Sequence, residues 1–150
     1  MAQAAAKKLI FRLGEVGFVL DLACIVEVCE HIVDTVDFRK TDLDSGIVGS
    51  LLFRRTLIPV IDPTLRLELS SSTATGDKVV LVLRSSEGNW ALLVDQVSGV
   101  CSSERFQPCE LPPLLKQTVN RCFSQVELLD NEPMIIFEPE RYYGPPSIAV

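Results

Sequence analysis

Histidine is almost missing from this chain: its 150 residues contain one, His31. A Ser–His or Cys–His dyad would have to use it, and it stands beside a polar stretch. GxSxG, HExxH, GxxxxGK[ST] and a GxGxxG placed after a strand are also missing. These absences remove the usual hydrolase, zinc-protease, phosphate-loop and dinucleotide-binding chemistries together. No catalytic, cofactor or metal residue is assigned, and the chain is expected not to be an enzyme. Basic residues are short as well, fourteen against twenty acidic, for a net charge of −6. With no basic run, a nucleic-acid backbone is a poor partner. No apolar run nears the ~18 residues that span a bilayer, and the start, MAQAAAKKLIF, has no apolar signal core. A cytoplasmic protein without membrane insertion is the expectation.

Cysteine is present but poorly arranged for chemistry. Cys24, Cys29, Cys101, Cys109 and Cys122 make an odd set without a CxxC, which argues against a disulfide framework. On one straight strand Cys24 and Cys29 would face opposite sides, so with His31 they lack the close-set geometry of a zinc site. They are expected to be small buried hydrophobes. A metal or redox sensor built on Cys24, Cys29 and His31 stands as the reading from another functional class.

What the chain has in quantity is apolar residues, 47%, written in short runs between turn signals. Lys8–Leu13 alternates, with Leu9, Phe11 and Leu13 on one side, and Phe18–Asp21 returns after Gly14-Glu15-Val16-Gly17 as its partner. Leu22–Glu30 predicts a bend and then a strand, and His31–Ser45 a polar surface connection. Gly49–Asp62, GSLLFRRTLIPVID, predicts a hairpin with Arg54–Arg55 at its tip, and Pro59 predicts an edge strand or a bulge there. Pro63–Leu67 should form one or two helical turns capped by Asp62, with Ser70–Asp77 a mobile loop. Lys78–Leu83 and Trp90–Asp95 predict a hairpin buried on both faces, with Trp90 a core anchor and Val97–Cys101 continuing past a bend at Gly99. Phe106–Pro113 should be irregular because of its prolines, Gln117–Leu129 and Pro133–Phe137 a last hairpin, and Glu138–Tyr143 a closing helical turn. Eight to ten short strands with few helices mean an all-β sandwich or small barrels.

Asp21, Asp62 and Asp95 each end an apolar run. They are either a carboxylate cluster or, as the commoner case, caps where the chain leaves a sheet. Arg54–Arg55 is either a carboxylate grip or a solvated tip. A strand-rich chain with surplus apolar residues and no catalytic set suggests an interaction module.

The order of motifs adds to this. FRLGEVGFVLD, IVEV, GSLLFRRTLIPVID, KVVLVL, ALLVDQVSGV and MIIFEPER together resemble the CheW-like domain over about Lys8–Tyr143. RTLIPVID after Gly49 is similar to the family's G-x-x-x-x-R-G-x-x-[VI]-P-V-[IV]-D, and LVDQVSGV to its V-D-x-V-x-x-V. The resemblance implies two small five-stranded SH3-like β-barrels around a shared hydrophobic seam. Residues 8–143 would be one domain, with a disordered tail at 1–7 and a C-terminal tail at 144–150. It also implies a non-enzymatic scaffold that couples the cytoplasmic tip of a chemoreceptor to the regulatory domain of a CheA-type histidine kinase. The runner-up is a divergent CheW-like protein of a two-component pathway for surface motility or biofilm. Carried over motif by motif, the receptor-facing groove would use Ile25, Glu27, Val28 and Arg54, with Gly49 and Val80 as neighbours; the kinase would face the first barrel's edge strands. At the tip the family writes N-L-R-G where this chain has Leu52-Phe53-Arg54-Arg55. An arginine in the glycine position is expected to be strained unless the turn differs.

Overall fold

The computed structural model describes residues 6–39, 46–64, 69, 73–109 and 125–139. Twelve strands run through them: β1 Lys7–Leu13, β2 Val16–Asp21, β3 Ile25–Cys29, β4 Val36–Asp37, β5 Ile47–Phe53, β6 Thr56–Ile61, β7 Val79–Ser85, β8 Gly88–Val94, β9 Gln96–Ser102, β10 Phe106–Cys109, β11 Val126–Leu129 and β12 Glu132–Ile136. They form two six-stranded sheets, β10-β11-β12-β2-β1-β9 and β3-β7-β8-β6-β5-β4. The architecture is the all-β pair of small SH3-like barrels, each with one strand more than the expected five. Among the described residues no helix is long and apolar enough to cross a membrane.

Strict alternation explains how one chain feeds three cores. On β1 and β2, Leu9, Phe11, Leu13, Phe18 and Leu20 point to a shared seam, while Ile10 and Val19 point to the first barrel's own core with Phe106, Leu129 and Met134. On β7 and β8, Val79, Leu81, Leu83, Trp90, Leu92 and Val94 complete the seam; Val80, Val82, Ala91 and Leu93 turn to the second barrel's core. This is why both runs read as almost continuously apolar: each strand is covered on both faces. Phe11 and Phe18, direct cross-strand partners, stack at 5.3 Å and 7°, and Phe137 meets Phe11 edge-on at 5.7 Å. Trp90, 1% exposed, anchors the seam.

Each sheet has one parallel pairing. Ile135 and Ile136 of β12 meet Phe18 and Val19 of β2, and Val60 and Ile61 of β6 meet Ala91 and Leu92 of β8. The second pairing corrects the expectation that Pro59 marks an edge strand or a bulge: β6 lies between β5 and β8, and the register slip in its pairing with β5 falls between Ile47 and Gly49 on the other strand. Pro59 is tolerated because the ladder to β8 begins only at Val60, so β6 is an edge as far as the proline and interior after it. A second correction concerns Phe106–Pro113. Its first four residues are β10, an edge strand pairing only β11, where the missing N–H of Pro108 costs no ladder bond on the open side. The two-glycine turn is narrower than expected, since Val16 and Gly17 already belong to β2. The connection after His31 carries a 3₁₀ turn, Ile32–Asp34, and the two-residue β4. Val97–Cys101 does not continue the strand of Trp90: β9 lies in the other sheet beside β1, and at Gly99 that pairing slips its register between Ile10 and Phe11.

Lys7, assigned to the tail, is the first residue of β1. Residues 1–5 and 144–150, the helical continuations at 65–67 and 140–143, and the parts of the loop, proline stretch and last hairpin at 70–72, 110–113 and 117–124 lie outside the described residues.

Candidate partner-binding surface

The expected contact residues start where the chain passes from one sheet to the other. Asp21 ends β2 and accepts a hydrogen bond from the Ala23 N–H at 3.1 Å, capping a 3₁₀ turn at Leu22–Cys24 that delivers the chain to β3. β3 is an edge strand, paired only with β7. Its register slips between Ile25 and Glu27, so Val26 is an extra residue and the simple alternation breaks. As a result two consecutive residues, Glu27 and Val28, are exposed, while Ile25 is half-buried against the seam. Val80 lies beside them, opposite Cys29, and is fully buried.

Arg54 stands elsewhere. It is at the β5–β6 tip, with β7 and β8 lying between β3 and β6 in the sheet. Arg54 and Arg55 have φ of 49° and 70°. Two successive positive φ values in a two-residue hairpin loop are the signature of a type I′ turn. The turn expected of a glycine-bearing tip is therefore kept, and the arginines carry its strain. The Arg54 guanidinium lies 4.8 Å from the centre of the Phe53 ring, which screens one of its faces. Gly49, buried on β5, sits where a Cβ would come within 2.6 Å of the Asp37 carbonyl oxygen on β4. The structure thus gathers Ile25, Glu27, Val28 and Val80 at one strand pair and leaves Gly49 and Arg54 on another.

Sequence reasoning overlooked Leu57. Leu52 and Leu57 are direct cross-strand partners and are 64% and 59% exposed, so the hairpin shows a pair of leucines beside its two arginines. The signal was available, because both residues are equidistant from the tip. A cleft of about 460 Å³ opens at this tip between Arg54, Leu57, Pro59 and the β7–β8 turn at Glu87 and Gly88. A second cleft, about 550 Å³, is lined by charged groups including Asp21, Arg84 and the Lys8–Glu127 pair at 2.8 Å.

The three strand-ending aspartates are each engaged locally. Asp62 Oδ1 accepts from the Thr64 N–H at 2.9 Å and from its hydroxyl at 2.6 Å. Asp95, 5% exposed, accepts from the Gly14 N–H at 2.5 Å and faces Lys78 Nζ at 3.7 Å. It therefore pins the β1–β2 turn to the start of β9. Among the described residues no three His, Cys, Asp or Glu side chains come together as a metal site would need. Cys24 packs against the seam and Cys29 against the second barrel's core, so they do face opposite sides. The four described cysteines are half-buried, more open than expected of core hydrophobes. Burial pushes the Cys29 thiol up to about 11, helped by its hydrogen bond to Glu27 and that group's negative charge. A thiol held protonated at neutral pH is a poor nucleophile and a poor ligand. His31 is exposed at the head of its 3₁₀ turn, with φ 56°.

The model of the CheW-like domain matches residues 7–143. The chain belongs to the CheW-like domain family. Among solved structures, the crystal structure of the scaffolding protein TtCheW from Thermoanaerobacter tengcongensis is similar, with a TM-score of 0.71 at 23% identity over 90% of each chain. A search of curated proteins returns no match. The likeness to TtCheW supports the fold alone.

Proposed function

We propose that this CheW-like protein is a cytoplasmic, non-enzymatic scaffold that couples the cytoplasmic tip of a chemoreceptor to the regulatory domain of a CheA-type histidine kinase. The observation that carries the reading is the family match over residues 7–143. The surface is compatible with it: an edge strand offering Glu27 and Val28, and a hairpin offering Arg54, are means of protein recognition rather than chemistry. In this reading Glu27, Val28 and Arg54 touch the partner, with Ile25 at the margin. Val80 and Gly49 are buried and act from beneath, by holding β3 and β5 in place.

Titration of the purified protein with the isolated regulatory domain of the cognate kinase tests it, and saturable binding below tens of micromolar is expected. No binding at that concentration, with both proteins folded, overturns the coupling role.

Arg55, standing where the family pattern has glycine, favours a second reading. Here the protein serves a two-component pathway other than chemotaxis, keeping the kinase and losing the receptor. That reading expects Arg55→Gly to restore receptor binding; a wild-type protein that already binds receptor tips removes it.

A further inference from the structure

Consecutive residues of a strand face opposite sides of the sheet. Phe53 ends β5 with its ring in the second barrel's core, 7% exposed, so the side chain after it would ordinarily point away from that ring. Arg54 does not. Its φ of 49° breaks the alternation, and its guanidinium comes back over the Phe53 ring at 4.8 Å. One ring thus fills the core and offers a face to a cation. Exposed Glu87, on the β7–β8 turn, lines the same cleft as Phe53, Arg54 and Leu57 and is the alternative resting place for the guanidinium. Among the described residues Arg54 forms no ion pair, so the ring and not a carboxylate holds it. Where this chain has Phe53, the family's N-L-R-G has leucine, which fills a core equally well but has no such face.

We propose that Phe53 is a positioning residue, whose ring holds the Arg54 guanidinium in the pose in which it meets the partner. A long exposed side chain gives up its freedom when a complex fixes it, and one already held by a ring gives up less. Phe53 thereby raises affinity without touching the partner. A ring suits this task better than a carboxylate. It uses none of the guanidinium's N–H donors, whereas an ion pair with Glu87 would occupy some of them and leave fewer for the partner. The left-handed turn also gains a consequence beyond its strain, since the φ of Arg54 is what brings ring and guanidinium together. That Arg54 touches the partner rests on the scaffold reading above. That Phe53 holds Arg54 does not, and it can be measured on the protein alone.

The experiment has two arms. In the free full-length protein, NMR of the Arg54 side-chain protons should show them shifted upfield by the Phe53 ring. The shift should vanish in Phe53→Leu and persist in Glu87→Gln. A wild type without it, or a Glu87→Gln protein that loses it, overturns the positioning role whatever the partner. In the second arm the probe is a soluble fragment of the cognate chemoreceptor's cytoplasmic tip, titrated by calorimetry. Phe53→Leu should weaken binding roughly two- to fivefold, the size of a cation–π contact at an exposed site. Trifluorophenylalanine incorporated at position 53 should weaken it in the same direction, because it keeps the packing of the ring but withdraws charge from its face. That replacement also guards against a Phe53→Leu protein that fails to fold. In an Arg54→Ala background neither change should matter, since the ring then has nothing to hold. Equal losses in both backgrounds would mean that Phe53 acts only as core filling, and would overturn the proposal. Arg54→Ala binding the probe as the wild type does, with the ring shift present, would instead remove Arg54 from the partner surface, and the use of the ring with it.

Discussion

The hairpin β5–β6 and the hairpin β11–β12, one in each sheet, close with the same two-residue turn and opposite chemistry. Arg54 and Arg55 hold φ of 49° and 70°; Asp130 and Asn131 hold 52° and 69°. Asn and Asp tolerate the left-handed region because a short polar side chain hydrogen-bonds locally, while a long side chain bears a cost of about 1–2 kcal/mol per residue. The Asp130–Asn131 turn is also tied down, with Arg105 Nη2 donating to Asp130 Oδ2 at 2.7 Å. Among the described residues, the arginine turn has only the Phe53 ring beside it. Folding alone does not account for two arginines in that position. Arg54 is one of the residues placed at the partner surface in the proposed function.

A glycine lies at each hairpin, Gly49 in the stem on β5 and Gly17 of β2 against Met134 of β12, and these two offer the largest test. A Cβ on Gly49 would meet backbone, the Asp37 carbonyl oxygen at 2.6 Å, and β4 cannot move away without losing its pairing of Val36 and Asp37 with Leu51 and Ser50. Gly49→Ala should therefore cost about 3 kcal/mol, near the upper end of single-site effects, and lower the melting temperature by roughly 6–12 °C. A Cβ on Gly17 would meet the sulfur of Met134 on β12, the far end of a flexible side chain. Gly17→Ala should cost about 1 kcal/mol, the low end of overpacking. Paired melts measure both. Equal losses would mean that the backbone contact at Gly49 relaxes as easily as a methionine.

These stems also divide what the sequence discloses from what it hides. The alternation of Leu9, Phe11 and Leu13 and the doubly apolar runs on β7 and β8 were legible, because the period of two depends only on neighbours along the chain. The Arg54–Arg55 turn was legible at its length for the same reason, while the turns at Asp130–Asn131 and between Ser85 and Gly88 were read too long. Hidden were the features set by another strand. Gly49 is required by Asp37, across a pairing that no local pattern announces. Pro59 and Pro108 read as breakers, but whether a proline breaks a strand depends on which side of it is paired. The side-by-side exposure of Glu27 and Val28 follows from the bulge at Val26, which a strict alternation cannot foresee. The family resemblance supplied the candidate residues, and the fold then divided them into exposed ones, Glu27, Val28 and Arg54, and buried ones, Gly49 and Val80.

The smallest effect is the most discriminating for the turns. Replacing a left-handed arginine by glycine removes about 1–2 kcal/mol of backbone strain, while the freer unfolded chain takes back about 0.5–1 kcal/mol. Arg55→Gly should therefore stabilise the protein by about 0.5–1 kcal/mol, raising the urea midpoint with an unchanged slope. Asn131 has little strain to release, so in Asn131→Gly the entropic cost cancels the gain, and its stability should stay within ~0.3 kcal/mol of wild type. The contrast between the two variants matters more than either value. If both rise equally, Asn131 is as strained as Arg55. If neither rises, the Arg55 side chain is making a compensating contact, and the tip is held by packing rather than kept for its charge.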